Sequence, residues 1–77
     1  MDNRSKAVRR MLRGMAPSRS IPYIQSFQLP EEEELALIEC DAKGKSVQQV
    51  AQAHALSVET VQRRRRAALG KIAKEVS

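Results

Sequence analysis

Tryptophan is absent, and Tyr23 and Phe27 are the only aromatic residues in a chain of 77. Two rings can build neither a stacking platform for single-stranded nucleic acid nor an aromatic-lined ligand pocket. Cys40 is the one cysteine and His54 the one histidine. The chain alone therefore forms no disulfide, no Cys/His zinc cluster and no two-cysteine redox pair, and neither a metal nor a cofactor is expected. Without an activating His/Asp constellation, Cys40 is expected to be a small buried hydrophobe, in keeping with a reducing, cytoplasmic address. No apolar run approaches the roughly 20 residues needed to cross a bilayer, and no continuous apolar signal region follows the basic N-terminus. No catalytic pair and no phosphate-binding glycine loop is present, so an enzyme is not expected. Strand-like alternation is missing throughout, which points to an all-α fold.

What the sequence does hold is 42% hydrophobic and 30% charged residues, with a net charge of +5 and a pI near 10.0. That is enough apolar material for a core, although a chain this short buries only about 60% of its unfolded surface. The basic balance calls for an anionic partner, nucleic acid before an acidic membrane. The charge lies in blocks: six basic and one acidic residue over 1–20, six acidic and none basic over 21–42, eight basic and two acidic over 43–77.

Val8, Met11, Leu12 and Met15 recur at i, i+3, i+4 and i+7, which predicts a helix over 1–15 capped by Asp2 or Asn3. Arg4, Lys6, Arg9, Arg10 and Arg13 cover the rest of its surface. That basic face is either a solvated face over the core or a nucleic-acid contact; the apolar face is too short and lacks the aromatic anchor for a membrane surface. Residues 16–29 form a connector in which Ser20, Ile21 and Pro22 open at most one helical turn. Tyr23, Ile24, Phe27 and Leu29 are too apolar for a free linker and are expected to cap the core.

The main domain is expected over 30–77. Pro30 followed by Glu31–Glu34 is a helix start, because the helix dipole favours negative charge in its first turn. Leu35, Ile38 and Ala42, with Leu37 nearby, form the predicted buried stripe, and Lys43-Gly44 the end. Ser46-Val47-Gln48-Gln49 has the form of a capping box, opening a helix that runs to about Ala53 or His54. Ser57 caps the next, predicted over about 58–75 with Val61, Ala68, Leu69 and Ile72 inward. Between them lies the tight turn His54-Ala55-Leu56; His54 is expected to be half-buried and bonded to backbone, neither a switch nor a ligand.

Two helices joined so tightly, with small Ala51 at their approach and Leu56 and Val61 filling the angle, predict a helix-turn-helix. Residues 29–72 resemble the promoter-reading region four of bacterial sigma factors and are similar to the LuxR/GerE-type regulators. The match rests on Leu29-Pro30, Glu33, Gly44, Val50-Ala51, Leu56-Ser57, Thr60-Val61 and Ala68. This chain has arginine at both 64 and 65, where those families carry an apolar residue. His54 likewise replaces an apolar residue, and Ala55 a glycine.

The resemblance implies that Val58, Glu59, Gln62 and Arg63 face the major groove of double-stranded DNA, with Ser46 and Ser57 near the backbone. Spacing at about 100° per residue independently puts Glu59, Arg63 and Arg66 opposite the apolar side, with Gln62 on the flank. Lys45, Thr60, Arg9, Arg10 and Arg13 complete the backbone candidates. The expected function is sequence-specific duplex binding by a small bacterial or phage transcriptional regulator, cytoplasmic and nucleoid-associated, without a membrane partner. The alternatives are a sigma-like module that binds RNA polymerase or a sigma partner, and a phage DNA-packaging or recombination accessory protein. Val8, Met11, Leu12 and Met15 either join a homodimer or complete the monomer core. Arg65, on the apolar side, requires an acidic partner, expected among Glu31–Glu34, Glu39 and Asp41.

Overall fold

Each helix forms where local signals start it, and the burial of one face decides how far it runs. The computed structural model describes residues 3–76, so the capping role expected of Asp2 lies outside the described residues. Among the described residues there are five α-helices, one π-helical turn and no strand. They are α1 (Asn3–Arg13), α2 (Pro17–Gln25), α3 (Glu31–Leu37), α4 (Val47–Ala53) and α5 (Val58–Val76); a π-helical turn (Ile38–Ala42) continues α3 without a break.

The connector is more ordered than its composition predicts. Pro17 occupies the first turn of α2, where the missing N–H leaves no bond unmade, and the helix then passes through Pro22. Tertiary packing sustains it: Ile24 is fully buried, and Ile21, Tyr23, Phe27 and Leu29 pack against the core. Tyr23 and Phe27 meet edge to face with centroids 5.1 Å apart.

The acidic run opens α3 as expected, with Pro30 at the N-cap. The buried stripe differs from expectation, because Leu35 is exposed while Ala36 and Leu37 are buried. Downstream, the Lys43 N–H reaches back five residues to the Ile38 carbonyl at 2.9 Å and widens the turn by one residue. All five residues of that turn are buried, Glu39 and Asp41 included. Gly44, at φ +74°, ends it in the left-handed region that glycine adopts without strain.

The core has two parts joined by α5. Val8, Leu12, Ile24, Leu37, Ile38 and Ala42 surround Ala68, Leu69, Ile72 and Ala73 of its C-terminal half. Ala36, Cys40, Val50 and Ala51 surround Val61 of its N-terminal half, closed by Val47 and Leu56. Val8 and Leu12 are thus buried in the core of the single chain, whereas Met11 is 41% exposed. The radius of gyration, 11.3 Å, equals the roughly 11.5 Å of a folded domain this long, so α1 is docked and not an extended arm. Among the described residues no helix is long and apolar enough to cross a membrane.

Candidate nucleic-acid interface

The turn between α4 and α5 sets the geometry of the exposed face. Ser46 Oγ accepts from the Gln49 N–H at 3.1 Å while Gln49 Oε1 accepts from the Ser46 N–H at 2.9 Å, so both halves of the capping box are present. At the other end of α4 the Leu56 N–H donates to the Ala51 carbonyl at 2.8 Å, and Ala55 is held at φ +54°. His54 stands at the C-cap and is exposed, contrary to the expected half-burial, because α4 ends at Ala53 and its packed face stops at Val50 and Ala51. Ser57 Oγ accepts from the Thr60 N–H at 3.1 Å, and the two hydroxyls share a 2.8 Å hydrogen bond. One of the pair therefore keeps a hydrogen to donate outward.

Beyond this cap, α5 separates its residues cleanly. Val61, Ala68, Leu69, Ile72 and Ala73 are buried, while Glu59, Gln62, Arg63 and Arg66 are all exposed. Val58, at 37% exposure, lies about 140° round the helix from Arg63 and so stands at the rim of that face. Thr60 is half-buried under its cap.

Arg65 finds the partner that its position demands. Its Nε and Nη2 donate to the two carboxylate oxygens of Asp41, both at 2.7 Å, across 24 residues of sequence. The Asp41 side chain is fully buried, and that hydrogen-bonded carboxylate raises the Arg65 pKa further, against desolvation. The acidic run Glu31–Glu34 is not the partner: it stays at the surface, with Glu33 accepting from Lys71 Nζ at 2.8 Å.

Asp41 does more than the sequence disclosed. Arg9 Nε and Arg13 Nε of α1 lie 3.5 and 3.6 Å from its Oδ1. Two backbone candidates are thereby tied to the same carboxylate as the inward face of α5. Their i,i+4 spacing put them on one side of α1, but nothing local indicated convergence on Asp41. Lys45, a third candidate, shares Glu39 with Lys43, each Nζ 2.8 Å from one carboxylate oxygen. These two hydrogen bonds, Lys43 first, lower the Glu39 pKa in spite of burial. Arg10, the remaining candidate, is exposed on α1.

Cys40 is buried, and desolvation raises its pKa, which keeps the thiol protonated. Among the described residues no three His, Cys, Asp or Glu side chains converge as metal ligands. No family model matches the chain, and no curated protein or solved structure matches it either.

Proposed function

We propose that the chain is a small transcriptional regulator that binds double-stranded DNA in a sequence-specific way, with α4 and α5 acting as a helix-turn-helix and α5 entering the major groove. The observation that carries this reading is the exposed set Glu59, Gln62, Arg63 and Arg66 immediately after a capped, tight turn, while Arg65 beside them is turned inward and neutralised by Asp41. Exposed arginines fit the O6/N7 edge of guanine, Gln62 the N6/N7 edge of adenine and Glu59 the N4 donor of cytosine. Hydroxyls at Ser46, Ser57 and Thr60, with Lys45, suit the phosphates alongside. A cytoplasmic, nucleoid-associated address follows from this reading.

Selection of bound sequences from random duplex DNA tests it. A defined motif is expected, palindromic if the chain acts as a homodimer, and Arg63→Ala is expected to change which bases are preferred. Engagement of about five phosphates makes log affinity fall against log salt with a slope near −4.5. A salt-independent response overturns the reading.

A second reading, a module that binds RNA polymerase or a sigma partner, is favoured by the groove of about 240 Å³ that Ala7, Val8 and Met11 of α1 and Ala73 and Val76 of α5 line with apolar surface, Arg4 being its one charged wall. Co-purification with polymerase that survives nuclease supports this second reading over the first.

A further inference from the structure

The base-reading face leaves a second concentration of charge unused. Lys6, Arg9, Arg10 and Arg13 line one shallow depression of about 300 Å³ on α1, with no acidic side chain in its wall. Their spacings, 6/9, 6/10, 9/13 and 10/13, are all i,i+3 or i,i+4, where like charges oppose helix formation. The first turn of α1 carries no acidic residue to offset them. Asp41 meets Arg9 and Arg13 from below, but Arg65 already holds both of its oxygens at 2.7 Å. One carboxylate facing three guanidinium groups leaves two positive charges in surplus. The Arg9 Nε is buried and has no hydrogen-bond partner. The buried side of this helix is made by Ser5, Val8 and Leu12, so Lys6 and Arg10 lie outside the core.

The arrangement fits an extended anion better than a point charge. From Lys6 to Arg13 the helix rises about 10 Å, the length over which one strand of B-DNA presents about three phosphates. Asp41 Oδ1 stands at ion-pair distance from the Nε atoms of Arg9 and Arg13, whose side chains remain 32% and 58% exposed. The carboxylate thus draws both side chains to one side of α1 while leaving each in part open to solvent.

We infer that this depression is a phosphate-backbone clamp for duplex DNA, and that Asp41 is its positioning residue. Because the same carboxylate holds Arg65, one side chain sets the clamp on α1 and the recognition helix in a fixed relation. The inference rests on the DNA-binding reading and adds a second contact surface to it.

The test compares the full chain with the Lys6→Gln/Arg10→Gln variant on duplex DNA over a range of salt. Both positions are exposed, so thermal stability is expected to hold or to rise as repulsion is relieved. Affinity should fall by about tenfold or more at about 0.1 M salt, and the salt slope should become shallower by about 1.8, with base preference unchanged. Asp41→Asn, measured at a temperature where circular dichroism reports it folded, should change both the salt slope and the base preference; a merely structural role would lower the folded fraction and leave both intact. Native affinity and slope in the Lys6/Arg10 variant overturn the clamp while leaving the α5 reading in place. So does loss of binding to a polyglutamate peptide with duplex binding retained. Salt-independent duplex behaviour of the unaltered chain removes both.

Discussion

Ala55 occupies the one position of the α4–α5 turn where a side chain works against the backbone. It is exposed and held at φ +54°, a region that costs an L-residue roughly 1–2 kcal/mol. Ala55→Gly removes that strain and returns part of the gain as greater freedom of the unfolded chain. A net stabilisation of about 0.5–1 kcal/mol is expected in urea unfolding, with no loss of helix content. At Asp41 the direction reverses. Its carboxylate is fully buried, so removing its charge leaves Arg65 nearly buried and unpaired, a class of change that costs about 3–5 kcal/mol. Arg65→Met removes the demand together with the partner. A double-mutant cycle of Asp41→Asn with Arg65→Met is therefore expected to give a coupling above about 1 kcal/mol, whereas Glu33→Gln with Lys71→Met, an exposed pair, should give less than about 1.

One element of this fold, α2, is longer than its local signals indicate, whereas α5 keeps its expected span to within a residue. Its 19 residues run unbroken through Gly70. A Cβ added there meets nothing within 4 Å, so the glycine serves no close approach and only weakens the helix. Gly70→Ala is expected to raise stability by about 1 kcal/mol, read as a rise of about 4–8 °C in Tm. The segment from the π-helical turn into α4 depends on pH through Glu39. Its folded pKa is lowered, first by Lys43 and then by Lys45, so its contribution is present above the ordinary glutamate value of about 4.3 and is lost as pH falls through the lowered one. Native stability should be insensitive to this group from pH 7 to 5 and decline below about 4. Glu39→Gln, measured by thermal unfolding across that range, should be less stable at pH 7 and show a shallower acid decline.

For the whole molecule the decisive fact is that α1 belongs to the core. Domains of this size are stable by only about 4–12 kcal/mol. Burial of Val8 and Leu12, at 4% and 0% exposure, contributes about 1.5–3 kcal/mol each. Deleting residues 1–15 should therefore abolish the cooperative thermal transition even though the α4–α5 unit remains, and should expose Leu69 and Ile72 to a hydrophobic dye. Survival of a sharp transition would show that 16–77 folds independently of α1.

Features set by residues within four positions of one another were legible in the sequence: the helix start at Glu31, the capping box at Ser46, the Ser57 cap, the glycine end at Gly44, and the division of α5 into inner and outer sides. Each follows from hydrogen bonding or periodicity along a short stretch of backbone. Arg65 was legible in part, since a guanidinium on an apolar side demands a carboxylate, but proximity in the chain favoured no one acid over another. Asp41 became that acid because a π-helical turn, which no local pattern marks, brings five consecutive residues into the interior. Packing likewise drew α2 out of a proline-bearing connector, left Leu35 of the expected stripe exposed, and brought Arg9 and Arg13 to a carboxylate about thirty residues away. Such contacts gain their energy from the exclusion of water between distant segments, and that quantity exists only once the helices have assembled.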